Sequence, residues 1–242
     1  MSGGVQSLHR ALDVLEAVAA RGGRSTIGEI ATGAGLPVPT THRLLRTLLD
    51  RGYVHQTPDR RYALGARLVP LGTLAGSLVG VDAETVLAGL VDDLGETANL
   101  AMMSGSRAQY VAQVPGRHTM RMFTEVGRMV DLHSTGVGKA LLARLDDDEA
   151  LDHVRRVGLA RCTDHTLITE EALLADLALV RERGYALDEQ EQEVGVRCVA
   201  VAVGEPMPWL AVSVSGPVTR MTDEIVDRAV PQLQAAARAL SR

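Results

Sequence analysis

The chain has almost no cysteine: Cys162 and Cys198 are the two in 242 residues. They are too few and too far apart in sequence for a disulfide scaffold or a metal knuckle, so both are expected as reduced thiols, with no metal or other cofactor. No apolar run approaches the roughly 20 residues needed to span a bilayer, and the first residues lack the basic-then-apolar pattern of a secretion signal. A cytoplasmic protein without a membrane partner is therefore expected. Internal repeats and low-complexity stretches are also missing. What is present is ordinary for a folded chain, 46% hydrophobic and 23% charged residues. The length exceeds one typical domain of roughly 100 to 200 residues, which predicts two domains of unequal size.

A net charge of −5 lacks the basic excess that a phosphate backbone attracts. Its distribution reverses that inference. Residues 1–73 carry 9 Lys and Arg against 5 Asp and Glu, net +4, and residues 74–242 are net −9. Such asymmetry fits a nucleic-acid-binding module joined to an acidic sensing or assembly domain.

From Gln6 to Ala20, the residues Leu8, Ala11, Leu12, Leu15, Val18 and Ala19 recur at helical spacing, with Arg10, Asp13 and Glu16 outside the stripe. This predicts an amphipathic first helix, ended by Arg21-Gly22-Gly23. Ser25-Thr26 opens a short second helix in which Thr26 and Glu29 have the spacing of a capping box and Ile27, Ile30, Ala31 and Ala34 share a face. Gly35-Leu36-Pro37 breaks the chain before Pro39, which suits the first turn of a third helix over about 39–51. Two helices joined by a Gly-containing turn make a helix-turn-helix. The third helix turns Leu44, Leu45, Leu48 and Leu49 inward and sets Thr40, His42, Arg43, Arg46 and Thr47 on another side. Hydroxyls, an imidazole and guanidinium groups suit base edges and phosphates. Thr40, Thr41 and Arg43 are the first candidates for DNA contact, with His42, Arg46, Ser25 and Thr26 beside them. After Gly52, residues 53–56 and 61–64 read as two short strands around Thr57-Pro58-Asp59-Arg60, a wing whose Arg60 and Arg61 would meet phosphates. A three-helix bundle with a solvated polar face explains the third helix taken alone. The ordered run of capped helix, Gly-Leu-Pro turn, basic helix and basic hairpin favours the DNA reader.

The run from Val5-Gln6-Ser7-Leu8 through Ile30-Ala31, Gly35-Leu36-Pro37, Thr40-Thr41-His42-Arg43-Leu44-Leu45, Leu48 and Gly52-Tyr53-Val54 to Tyr62-Ala63-Leu64-Gly65 resembles the DNA-binding domain of the isocitrate lyase regulator (IclR) family. Val38 departs from the resemblance, since many relatives carry a basic residue there. The resemblance implies a winged helix-turn-helix domain over 1–65, a linker helix over 66–81 that helps form the dimer, and an α+β, GAF-like effector-binding and oligomerisation domain over 82–242. The linker's own composition, rich in Leu, Gly and Val, also points to a packed helix rather than a loose tether.

Beyond residue 82 the pattern reads as a helix to Leu94 and strands over 97–103, 109–114 and 120–123. Helices follow over 138–145, 147–157 and 169–183, then strands over 185–188, 197–203 and 210–215 and a closing helix over 222–240. This is α+β, helices covering a mostly antiparallel sheet. In a hairpin centred on 204–208, Val199, Val201 and Val203 share one face and Cys198, Ala200 and Ala202 the other. Val212 and Val214 likewise oppose Ala211, Ser213 and Ser215. The simplest register puts Cys198 beside Ser215 and Ala200 beside Ser213, leaving a hollow lined by thiol and hydroxyl groups. A close-packed surface touching a helix accounts for the same pattern. His133-Ser134-Thr135-Gly136-Val137-Gly138-Lys139-Ala140 is a turn entering a helix whose exposed N–H groups attract anions. It is no P-loop, because Ala140 follows Gly138-Lys139 where Ser or Thr is required.

That segment, together with Gly184-Tyr185, Asp188-Glu189, Gly195-Val196-Arg197-Cys198-Val199-Ala200 and Val212-Ser213-Val214-Ser215-Gly216-Pro217, resembles the family's effector domain. The resemblance implies a pocket for a small carboxylate or aromatic metabolite. Gly136 and Val137 would offer backbone donors, Asp188 and Cys198 would line the wall, and Ser213 and Ser215 would bond the ligand. Val137 stands where relatives often have Ala. The implied protein is a non-enzymatic, effector-responsive repressor that binds palindromic operator DNA as a homodimer or dimer of dimers. Two rivals remain: an enzyme with a Cys198 or Ser215 nucleophile served by His133 or His165, and a pure assembly domain with those residues packed.

Overall fold

The computed structural model describes residues 5–77, 83–122, 124–205 and 209–241. The chain divides between residues 78 and 79 into two compact units.

The first unit contains α1 (Gln6–Ala19), β1 (Arg24–Ser25), α2 (Ile27–Gly33), α3 (Val38–Asp50), β2 (Val54–Gln56), β3 (Tyr62–Leu64) and α4 (Leu68–Ser77). Three short antiparallel strands form a sheet in the order β1-β3-β2. The two-residue β1 was beyond sequence reading, since it is defined only by its pairing with β3. Gly22 and Gly23 both take positive φ after α1, a conformation that side chains with a Cβ resist. Thr26 caps α2 as expected: the Glu29 N–H donates to its hydroxyl at 3.3 Å and the Thr26 N–H donates to the Glu29 carboxylate at 2.7 Å. Val14, Ala17, Val18, Ile30, Leu45, Leu48, Val54 and Tyr62 make the core. The buried face of α1 therefore runs through Val14, Ala17 and Val18, while Leu8 and Leu12 of the expected stripe are exposed.

The second unit contains α5 (Ala83–Leu94), β4 (Thr97–Ser104), β5 (Arg107–Val114), β6 (Met129–Asp131), α6 (Gly136–Leu142), α7 (Asp147–Val157), α8 (Glu170–Arg183), β7 (Ala186–Glu189), β8 (Val196–Ala202), β9 (Leu210–Pro217) and α9 (Asp223–Leu240). Its six strands are antiparallel neighbours in the order β6-β5-β4-β9-β8-β7. One sheet face carries Val199, Val201, Val203, Val212 and Val214 against α5 and α9. The other carries Ala101, Ala200 and Ala211 against α6, α7 and α8. The register is the simple one, Cys198 opposite Ser215 and Ala200 opposite Ser213. Of the intervening turn, residues 206–208 lie outside the described residues, as do 78–81 of the expected linker.

The strand expected over 120–123 is absent among its described residues. The sheet instead takes its edge from Met129–Asp131, paired with Arg107–Gln109. Met120, Arg121 and Met122 are neither β-branched nor aromatic, so local preference gives a strand little support there. Helix α6 starts at Gly136 rather than Gly138 and presses unusually close to its neighbours. A Cβ at Gly138 would lie 2.3 Å from the Leu132 carbonyl oxygen, and one at Gly136 would lie 3.1 Å from the Cys198 sulfur.

Candidate DNA interface and ligand cavity

Helix α3 is amphipathic because its leucines recur every three or four residues, and that pattern decides which polar side chains remain outside. His42, Arg43 and Arg46 are exposed and Thr40 is half-buried in the first turn. Two expectations need correction. Thr41 is fully buried and its hydroxyl donates to the Pro37 carbonyl at 3.2 Å, so its side chain supports the start of α3 and cannot meet DNA. Ser25 is equally buried, drawn inward by the β1–β3 pairing. Thr26 is half-buried with its hydroxyl committed to Glu29 on both sides, as donor at 2.8 Å and acceptor at 3.3 Å.

In the wing, the Thr57 N–H donates to the Arg61 carbonyl at 2.8 Å and the Arg60 N–H donates to the Thr57 carbonyl at 2.9 Å. Arg60 takes φ 62°, the left-handed conformation that closes the turn and leaves its side chain exposed. Asp59 is 2.7 Å from the Arg24 guanidinium and 3.5 Å from that of Arg61. The Thr57 hydroxyl, then Arg24, hold its carboxyl down at about 2. Arg43, Arg46 and Arg60 enter no ion pair among the described residues, so their charge is left for an external anion.

In the second unit, the start of α6 and the small face of β8 and β9 border a cavity of about 50 Å³. At roughly 10–15 Å³ per water, it takes a few waters or an organic anion of similar size. Gly136 of α6, Asp188 of β7, Cys198 of β8 and Ser215 of β9 line it together, drawn from segments up to 79 residues apart. Ser213 corrects the expectation, and the side chain of Val137 takes no part. Both are fully buried and neither lines the cavity: the side chain of Val137 turns into the core beneath α6, and Ser213, opposite Ala200 on the same sheet face as Ser215, is covered there. The backbone N–H groups of Gly136 and Val137 still fall in the first turn of α6, where helical bonding cannot use them.

The remaining walls escaped sequence reading. Tyr110 comes from β5, Met122, Thr124 and Arg128 from the segment after it, and Gln192 and Glu193 from the loop between β7 and β8. Only Gln192 and Glu193, a few residues past Asp188, had a local signal. The others are brought in by strand order alone. Asn99 is buried on β4 and its amide nitrogen donates to the Ser215 hydroxyl at 3.2 Å. The Gln113 side chain in turn donates to the Asn99 carbonyl at 3.3 Å. With one lone pair engaged from the sheet side, Ser215 has a hydrogen to offer the cavity.

Burial pushes the Asp188 carboxyl up to about 7, against the Glu191 and Gln192 N–H groups that donate to its Oδ1 at 2.7 and 3.3 Å. Burial also raises the Tyr110 phenol and pushes the Cys198 thiol up to about 12, so both are neutral. Behind this wall Lys139 is 1% exposed. Its ammonium lies 2.5 Å from Glu191 and 2.9 Å from Asp176, and burial raises the Glu191 carboxyl. This clamp ties α6 and α8 to the loop that carries Glu191 and Gln192. A nucleophilic reading finds no support here: the Cys198 thiol is protonated, and the His133 ring nitrogen is 3.0 Å from the Ala160 carbonyl.

Comparison with known proteins matches a profile described as the IclR helix-turn-helix domain to residues 7–58, and one described as the bacterial transcriptional regulator IclR C-terminal domain to residues 77–242. The transcriptional repressor IclR of Escherichia coli K12 is 37% identical over 233 residues, covering 93% of this chain and 85% of that protein. The HTH-type transcriptional repressor AllR of the same strain is 33% identical over 91% of this chain and 83% of its own length. Among solved structures, an IclR transcriptional regulator from Alicyclobacillus acidocaldarius has a TM-score of 0.83 at 31% identity, covering 98% of each chain. An IclR homolog from Microbacterium hydrocarbonoxydans, solved in complex with 4-hydroxybenzoate, shares the fold with a TM-score of 0.82 at 24% identity over 98% of each chain. The relatives are regulators and repressors, not enzymes. Among the described residues no helix is long and apolar enough to cross a membrane.

Proposed function

This chain belongs to the IclR family of bacterial transcriptional regulators, and we propose that it is a repressor that reads a palindromic operator through α3 and the wing and is controlled by a small carboxylate held in the cavity of its second unit. The observation that carries the DNA reading is the set of exposed guanidinium groups of Arg43, Arg46 and Arg60, paired with no carboxylate among the described residues while Asp59 neutralises their neighbours Arg24 and Arg61. Arg43 and His42, near the start of α3, are placed to read base edges, and Arg60 and Arg61 to meet phosphates. A carboxylate is favoured over an aromatic ligand by the size of the cavity and by the donors around it, the Ser215 hydroxyl, the Gln192 amide and the Arg128 guanidinium. The complex of the Microbacterium hydrocarbonoxydans homolog with 4-hydroxybenzoate, itself a carboxylate, supports a ligand of this chemistry in the fold.

A palindrome calls for two heads. Leu8 and Leu12 lie one turn apart on α1 and are 60% and 47% exposed, an apolar edge that suits a second copy of the chain. Ligand binding then shifts the balance between DNA-competent and incompetent arrangements, by as much as its affinities for the two differ.

Binding of the purified protein to fragments of its own genome at low and high salt tests the DNA reading. A specific fragment should be retained with affinity falling steeply as salt rises, by a log–log slope of roughly −0.9 per phosphate contacted. Failure to retain any duplex at low salt, with and without short carboxylates, refutes it.

A further inference from the structure

We propose that Asp188 selects the effector by meeting it as a neutral acid, so that each small monocarboxylate enters the cavity together with one proton. The proposal rests on the cavity being the effector site. Its physical basis is the meeting of two carboxyl groups in a confined space. Asp188 is 3% exposed and lines a cavity of about 50 Å³, with Glu193 and Arg128, both exposed, at its rim. A ligand carboxylate would come to lie beside the Asp188 carboxyl, and of the charged groups lining the cavity only Asp188 is buried. Two carboxylates forced together in so small a volume share one proton rather than both ionising.

The other elements around Asp188 leave it as the group that takes this proton. From α6, Lys139 attracts the Asp188 charge but is already bound to Glu191 and Asp176. From the following loop, the Glu191 carboxylate repels that charge. From β5 and β8, Tyr110 and Cys198 are neutral. Among the described residues the hydrogen bonds to Asp188 both fall on Oδ1, from the Glu191 and Gln192 N–H groups. Protonation at Oδ2 therefore leaves the loop anchored and creates a donor for the ligand. The proton comes from solvent, and no other bond changes. Burial already holds the carboxyl at about 7, so little work is needed near neutral pH.

Titration calorimetry of the full chain with acetate, in two buffers of different ionisation heat, counts the protons. Uptake should approach one per site at pH 8 and be small at pH 6, with affinity falling about tenfold per pH unit above 7. Acetamide, neutral and of the same shape, should bring no proton at either pH. Asp188→Asn keeps an acceptor for the two N–H groups and presents a permanent donor, so acetate should bind it without proton uptake and without this pH dependence. Acetate binding to the wild-type protein at pH 8 with no proton uptake overturns the proposal and leaves the cavity reading standing, as does unchanged uptake in Asp188→Asn. If acetate, propionate and butyrate all fail to bind at pH 6, the cavity reading falls and the proposal with it.

Discussion

Lys139→Met removes the one cation paired with Glu191 among the described residues and keeps the volume of the side chain. Glu191, whose side chain is 7% exposed, is then left without a cation among the described residues, while Asp176 keeps the Arg183 guanidinium at 3.9 Å. Removing one partner of a buried pair costs about 3–5 kcal/mol, because the partner is left charged and desolvated. Asp176 keeps 21% of its side-chain surface and can be rescued by water, which places the expected loss at the lower end, about 3 kcal/mol at pH 8. The loss should shrink on acidification. Burial raises the Glu191 carboxyl above its ordinary value even with Lys139 present, and deleting the ammonium raises it further. Between the unfolded and folded values the folded variant binds more protons than the unfolded one, so its stability rises as pH falls from 8 toward 5. Urea unfolding followed at Trp209, the single tryptophan and part of the second unit, measures this. The double variant Lys139→Met/Glu191→Gln, with a neutral amide in place of the stranded carboxylate, should recover most of the loss. A cost under about 1 kcal/mol for Lys139→Met at pH 8, or no recovery in the double variant, would refute the view that this pair is a buried electrostatic clamp.

Arg43→Ala should weaken operator binding about 10- to 100-fold and relax discrimination among operator variants in a gel-shift assay, as expected for a bidentate base contact; unchanged affinity removes Arg43 from the interface. Ser215→Leu should fill the cavity and abolish the effect of carboxylates on operator binding while leaving DNA affinity intact, and a normal response would place the ligand elsewhere. Leu12→Glu puts a charge on the exposed edge of α1 and should shift the protein toward monomer in sedimentation; an unchanged molecular mass would move the interface off that edge.

Periodicity and turn chemistry, which act over a few residues, determined much of this protein directly. The Thr26–Glu29 spacing specified its capping box, the leucines of α3 specified which of its arginines stay outside, and the valine alternation of β8 and β9 specified both the register and the small face that hosts Cys198 and Ser215. Motif resemblance carried the family in the same way, because its residues are clustered in sequence. Other features depended on which segments meet. Leu8 looked like core because it shares a stripe with Leu15, yet the rest of the unit packs against Val14, Ala17 and Val18 instead. Ser25 and Thr41 looked available for DNA and are buried by β3 pairing and by the start of α3.

The cavity shows the division most clearly. Asp188, Cys198 and Ser215 were marked by the sequence, but Tyr110, Arg128 and the Lys139–Glu191–Asp176 cluster were not. Nothing in the residues near Lys139 says that its ammonium will be dry, since that depends on α8 and on a loop 52 positions further along the chain. Local sequence sets the shape and polarity of each element through short-range sterics and hydrogen bonding. Desolvation and charge pairing arise only when distant elements exclude water from the same small volume, so the chemistry of this site was decided by the tertiary structure.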